Sequence, residues 1–476
     1  MDKNLTIQQL SDGEQTMFKN KAMIILPIFS LVLFLIGFSL VNSAKPAIVF
    51  ANQNGNLCEP LEPATGTIVN VSTVSELQNA VNSASANSSI LIADGTYDLN
   101  GVYLRIDVPN VTLRSASGNR EAVILDGNYQ TTEIIQVVRS NITIADLTLR
   151  EAYYHPIHVS SSDEGGDVFN TLIYNVHIID PGEQAIKINK AGDGVYADNG
   201  VIACSHIELT DTGRPFIRNN CYTGGIDAHQ ARDWHVRDNR IEGFWCDSGL
   251  SEHAVHFWRG SRDTLVERNV LVDNARGVGF GLVTSGSGRT YSDDVCPAAE
   301  GGYVDHFGGM VRNNFISADD DELFSSQSGF DCGICFWNAC GAKAYHNTVA
   351  STQAPFSSIE WRFDYTEVEI FNNLVTHQLR DRSGEATVSG NLENQPLSIF
   401  TDMANGLLHL NSSATSAIDQ ASILSELSDD FDGQDRPIGR APDIGADEYG
   451  AVIVTPNPTP TFEVNARVFL PSTTRN

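Results

Sequence analysis

Basic residues are scarce in this chain of 476 residues: 30 Lys and Arg stand against 59 Asp and Glu, a formal charge of -29. A surface of that sign repels polyanions at long range and excludes nucleic acid as a partner. No cysteine is left over either. Eight are present, Cys58, Cys204, Cys221, Cys246, Cys296, Cys332, Cys335 and Cys340, an even number suited to a compartment where disulfides persist. Cys332-Gly-Ile-Cys335 lacks both a thioredoxin-like context and a second matching pair, so it reads as structural rather than as a redox motif or half a zinc site. The acidic stretch DDFDGQDRPIGRAPDIGADEYG, residues 429–450, lacks the spacing of an EF-hand loop and reads as a solvated cap. Asp319, Asp320, Asp321 and Glu322 likewise read as a solvated loop.

What is present is a repeat. Ile226-Asp227-Ala228-His229 and Val255-His256-Phe257-Trp258-Arg259 share one alternation of apolar and polar residues. Alternate residues of an extended strand face opposite sides, so Ile226, Ala228, Val255 and Phe257 turn inward while Asp227, His229, His256 and Trp258 turn out. The same phase recurs in Ile157-His158-Val159, Ile186-Lys187-Ile188-Asn189, Val278-Gly279-Phe280, Ile334-Cys335-Phe336-Trp337 and Ile359-Glu360-Trp361-Arg362. A second column, Asp146, Asn175, Ser205, Asn239, Asn269, Asn314, Asn347 and Asn373, precedes short apolar segments and marks a bend in which Asn tolerates left-handed backbone. Three short strands per coil fit the spacing of a solenoid with variable loops. If that register holds, Cys221 faces Cys246 and Cys296 faces Cys340.

The ends differ from the middle. Residues 22–41 form an uncharged apolar run long enough to cross a bilayer, so residues 1–51 read as an export signal, cleaved near residues 49–51, or as a membrane anchor. Residues 75–84 show helical spacing of Leu77, Ala80, Val81 and Ala84, a cap for the first coil. The repeat occupies 52–391, a capping segment 392–450, and a Pro-rich linker and tail 451–476. The expected location is therefore extracellular or at the cell surface.

The exported start, the capping helix, the Asn-marked turns and the coil length of residues 71–391 resemble the right-handed parallel β-helix proteins of the pectate-lyase-like superfamily. The resemblance implies an all-β solenoid. For activity it implies a range that includes lyases of uronic-acid polysaccharides, glycoside hydrolases, epimerases and non-catalytic surface proteins. The lyases of this fold that act on alginate or dermatan pair a Lys and an Arg on neighbouring coils, often with calcium, which makes calcium a candidate cofactor without requiring one.

β-Elimination from a uronate needs a base and a cation that neutralises the carboxylate. Lys187, His229 and His256 are the candidate bases, Arg259 the cation, and Asp227 the group that orients a histidine. Asn189, Arg232, Trp258, Arg262 and Trp337 are the candidate substrate contacts, the two indoles being expected in the open where sugar rings stack. Trp245 and Trp361 read as packing. Residues 208–224, 242–252 and 284–308 are expected to wall a cleft, and Arg214 and Arg218 to add positive charge to it. A hydrolase needs two carboxylates flanking the bond, and the column provides Asp227, with Glu252 in a loop and Glu360 further along. Asp227, His229 and His256 together are also a candidate cation site. The favoured function is a polysaccharide lyase; the alternatives are a glycan-binding surface protein and a glycoside hydrolase.

Overall fold

In the computed structural model, residues 58–162, 165–293, 296 and 302–450 are described. The apolar run 22–41, the cleavage point at 49–51 and the tail 451–476 lie outside them. Among the described residues no helix is long and apolar enough to cross a membrane.

Alternation winds the chain into a right-handed parallel β-helix. Its wall is three long parallel sheets, one of fourteen strands and two of ten. One ten-stranded sheet contains His155–Ser161, Gln184–Lys190, Gly224–His229, Val255–Trp258, Arg276–Phe280, Cys332–Trp337 and Ser357–Arg362 as successive neighbours. Ile157, Ile186, Ile226, Val255, Val278, Ile334 and Ile359 pair one above another and point inward. Val159, Ile188, Ala228, Phe257, Phe280, Phe336 and Trp361 form a second inner column. Each aliphatic or Phe side chain so buried contributes about 1.5–3 kcal/mol.

The Asn column is a ladder rather than a row of bends. Asn239 donates to Asn269 (3.0 Å), Asn269 to Asn314 (2.9 Å), Asn314 to Asn347 (2.9 Å), Asn347 to Asn373 (3.0 Å) and Asn373 to Asn391 (2.8 Å). The left-handed residue is the one before each rung, Asp238, Arg268, Asn313, His346 and Asn372. Asp146 and Asn175, taken from sequence as the same column, hold the left-handed position itself. The difference is physical: the side-chain amide both donates and accepts, so it can repeat a hydrogen bond from coil to coil inside the wall.

Helix Val74–Asn82 covers the first coils with Leu77, Ala80 and Val81. Its N-cap is Thr73, whose hydroxyl accepts from the Glu76 N–H at 3.2 Å. At the other end, beyond strand Glu385–Ser389, a short antiparallel pair, Phe400–Asp402 with Leu407–Leu410, starts a separate apolar cluster. The acidic segment of this cap is not solvated as expected: Asp430, Asp443, Asp447 and Glu448 are buried. They take up backbone N–H groups of the cap, from Leu410 of the short strand and from Gln434, Asp443 and Tyr449 outside regular structure, and Glu448 also accepts from buried Arg436 at 2.8 Å. Asp320, expected in a solvated loop, accepts from the Glu322 N–H at 2.8 Å and caps helix Asp321–Ser325.

Four disulfides form, Cys58 to Cys204, Cys221 to Cys246 and Cys296 to Cys340 between distant parts of the chain, and Cys332 to Cys335 within strand Cys332–Trp337. The second and third are the two pairings that the repeat had placed together.

Candidate active site

The outer side of the sheet just described carries the polar column. Register places Lys187 beside Asp227, Asp227 beside His256, and His229 beside Trp258. These groups were expected in solvent, but Asp227 is 1%, His256 0%, Trp258 7% and Trp337 3% exposed. The indoles are therefore not open platforms. Each is turned down onto the sheet by its N–H: Trp258 Nε1 donates to Asp227 Oδ1 at 2.8 Å, and Trp337 Nε1 to Glu360 Oε1 at 2.5 Å. Trp245 and Trp361 are buried, as packing residues are.

Asp227 is the hub. Its Oδ2 pairs with the Lys187 ammonium and lies 3.2 Å from His229 Nε2. Burial alone would raise its pKa, but Lys187, His229 and His256 outweigh that and hold the carboxyl well below its usual range. Burial pulls on Lys187 in the opposite sense, yet Asp227 and Tyr222 keep its pKa above the ordinary value. Lys187 is thus a fixed ammonium and not the base that the sequence offered. Its Nζ also donates to the Tyr222 hydroxyl at 3.1 Å. Burial and Asp227 push Tyr222 up to about 12. His229 is lowered, chiefly by burial, so its imidazole is neutral near pH 7.

Around this hub the other candidates separate. Arg259, with left-handed backbone at φ 58°, lays its guanidinium 4.5 Å from the centre of the Trp258 ring. The His229 ring meets the same indole edge-on, with centroids 4.6 Å apart. Among the described residues Arg259 Nε has no hydrogen-bond partner. Arg262 is already committed, to Asp263 at 2.9 Å and to Asp293 at 2.8 Å. Arg232 lies beside Asp233 at 3.4 Å. Asn189 accepts from His158 Nε2 at 3.0 Å, and His158 Nδ1 is 2.7 Å from Glu133. Trp337 belongs to the far end of the column with Glu360, which also takes Arg382 at 2.6 Å and Ser357 at 2.7 Å.

Two residues escaped the sequence reading. Tyr222 follows Cys221 in a loop, with no periodicity to mark it. The His253 ring lies between His256, tilted to it at 41°, and Trp337, met edge-on, with centroids 4.3 and 5.6 Å away. It occupies the place in the column that Gly279 leaves empty: a Cβ on Gly279 would lie 2.5 Å from the His253 ring. A glycine in an otherwise regular column was the available signal for a close approach.

Asp227, His229 and His256 do not fit as a cation site, because both Asp227 oxygens are engaged by Lys187 and Trp258. Calcium, which takes six to eight oxygens, finds no such set around this carboxylate. A groove of about 640 Å³ is lined by Arg214, Asn220, Trp245, Asp247 and Gln327, among others. It is built from the loops expected to form walls but lies away from His229 and Arg259. There Arg214 packs 3.6 Å over Trp245 and donates to the Gly243 and Trp245 carbonyls. Arg218 lies 4.1 Å over Tyr153.

No protein-family model matches the chain. No curated protein matches it in sequence. Among solved structures, an alginate lyase from Paenibacillus sp. str. FPU-7 is similar at 16% identity, with 68% of this chain and 99% of that chain covered and a TM-score of 0.47. The pectate lyase Pel9A is similar at 14% identity, covering 78% and 90%, with a TM-score of 0.47. PfbA, a surface adhesin of Streptococcus pneumoniae, is similar at 12% identity, covering 67% and 86%, with a TM-score of 0.32. Likenesses at this level concern the coil and leave the chemistry to the residues.

Proposed function

We propose that this chain is an exported carbohydrate-active protein, a polysaccharide lyase that cleaves a uronic-acid-containing glycan by β-elimination. The observation that carries this reading is the pairing, on one indole, of a neutral imidazole and a cation: His229 and Arg259 on Trp258. A uronate carboxylate would seat on Arg259, whose planar guanidinium offers two parallel donors. His229, whose Nε2 lies 3.2 Å from both the Lys187 ammonium and Asp227 Oδ2, is the neutral group that would take the proton next to the carboxyl group. The electron pair left behind forms the carbon–carbon double bond as the glycosidic C–O bond breaks. The departing oxygen takes the proton of Tyr222, with the Lys187 ammonium 3.1 Å from that hydroxyl to offset the charge.

Hydrolysis has less support. Asp227 is held ionised, and Glu360 is enclosed by Arg382, Ser357 and Trp337, so neither carboxyl is placed to donate a proton. Non-catalytic glycan binding is the second reading, favoured by a groove of about 640 Å³ whose lining does not include His229. Four disulfides support export. The membrane anchor remains a proposal from residues 22–41.

The test is to incubate the full chain with uronic-acid and neutral polysaccharides, following unsaturated-uronate absorbance together with reducing ends. Both rise if the reading is right, and both are lost in His229→Ala and Arg259→Ala variants that melt like the parent. Reducing ends without the absorbance would mean hydrolysis. Retained glycan affinity with no product would mean a binding protein.

A further inference from the structure

Next to the Lys187–Asp227 pair, three donors converge without hydrogen-bond partners. Glu252 Oε2, His253 Nδ1 and His256 Nδ1 are all buried atoms that make no hydrogen bond. Glu252 Oε2 lies 3.0 Å from His256 Nδ1 and 4.0 Å from His253 Nδ1. One ligand atom from each of the three residues falls within 4.8 Å of the others. Buried polar atoms left unpaired are costly, and three in one place point to a missing partner common to them all.

That partner is a cation by the chemistry of the set. His256 Nε2 lies 3.3 Å from the Gly281 carbonyl, which only accepts, so Nε2 is placed to donate there and Nδ1 is the nitrogen that faces Glu252 and would meet an ion. A carbonyl that accepts from the far ring nitrogen is the usual arrangement behind a metal-bound imidazole. Burial holds the His253 pKa well below its ordinary value, leaving that ring neutral with a lone pair to give. A tetrahedral ion with bonds of 2.0–2.1 Å sets its ligand atoms about 3.3 Å apart, between the 3.0 and 4.0 Å observed. Two imidazoles and one carboxylate select zinc-class ions over calcium or magnesium.

We propose that Glu252, His253 and His256 form a binding site for a zinc-class divalent cation, with one coordination place open. The site is held by the solenoid itself, since His253 fits only because Gly279 lacks a side chain. It stands independently of the lyase reading, because none of its three ligands takes part in the proton transfers assigned to His229 and Tyr222.

The full chain, stripped with a chelator and checked for folding by circular dichroism, would be titrated calorimetrically with Zn²⁺ and, in parallel, with Ca²⁺ and Mg²⁺. One equivalent of Zn²⁺ should bind, and Zn²⁺ should raise the melting temperature. Glu252→Gln, which changes a partly exposed side chain and spares the buried rings, should weaken binding by at least about 100-fold, since even outer-shell changes cost 10–100-fold. His206→Gln, at the separate His177, His206 and Glu208 cluster, should leave affinity unchanged. A folded parent that binds no equivalent of Zn²⁺ would overturn the proposal. So would undiminished binding in Glu252→Gln, or its loss in His206→Gln.

Discussion

Replacing Lys187 with Met is the sharpest probe of the outer column. The Lys187 and Asp227 side chains are 7% and 1% exposed, so the substitution leaves a carboxylate buried opposite a thioether. Breaking a buried pair from one side costs about 3–5 kcal/mol. Asp227 keeps the Trp258 N–H, a charge-assisted bond that contributes about 1.5–3 kcal/mol, and His229 remains nearby. The loss should therefore fall at the lower end, about 3 kcal/mol, or about 6 °C in melting temperature at roughly 2 °C per kcal/mol for a large chain. Adding Asp227→Asn should restore most of it, because the double variant carries no orphaned charge. The sign with pH is also determined. A carboxyl whose folded pKa is lowered contributes stability above the unfolded Asp value, near 3.9, and loses it as pH falls through the folded value. The gap between parent and Lys187→Met should therefore narrow in acid. Urea unfolding followed by circular dichroism reads all three. A Lys187→Met loss below about 1 kcal/mol at neutral pH would refute the account of a desolvated pair.

Three further outcomes are expected. Asn269→Ala removes a central rung that joins Asn239 and Asn314, and should cost about 3 kcal/mol in urea unfolding because its buried partners lose their bonds. Gly279→Ala should destabilise by about 1–3 kcal/mol by pressing on the His253 ring, and the pairing with His253→Ala should recover part of that loss in the same assay. In the C-terminal cap, burial raises Asp447 to about 7; the native state then holds the proton the unfolded chain has lost, so this contribution is complete below about pH 4 and disappears as pH rises through 7. Relative to Asp447→Asn, the parent should lose melting temperature between those two pH values.

Much of the architecture was legible because a parallel solenoid is built from local rules repeated. Ile226, Val255 and Val278 could be aligned by eye, since a strand has a period of two and a one-residue slip would turn every apolar side chain into water. The same alignment brought Cys221 to Cys246 and Cys296 to Cys340. The Asn column was visible, but its role was not: whether an amide bends the backbone or bonds to the next coil depends on which position of the turn it holds, and Asp146 and Asn175 look the same in one dimension as Asn239 and Asn269.

By itself, then, the sequence determined the β-helix, its register and the row of polar residues along one face, because each follows from alternation along the strand. Only the tertiary structure decided what those polar residues are. Turned outward, Trp258 and Trp337 had every reason to be exposed until Asp227 and Glu360 drew their N–H groups down onto the sheet. Lys187 looked like a base until burial against Asp227 held its proton. His253, from a loop with no period, took the place that Gly279 leaves open. Protonation state and exposure depend on the solvent excluded by parts of the chain distant in sequence, and no local pattern records that.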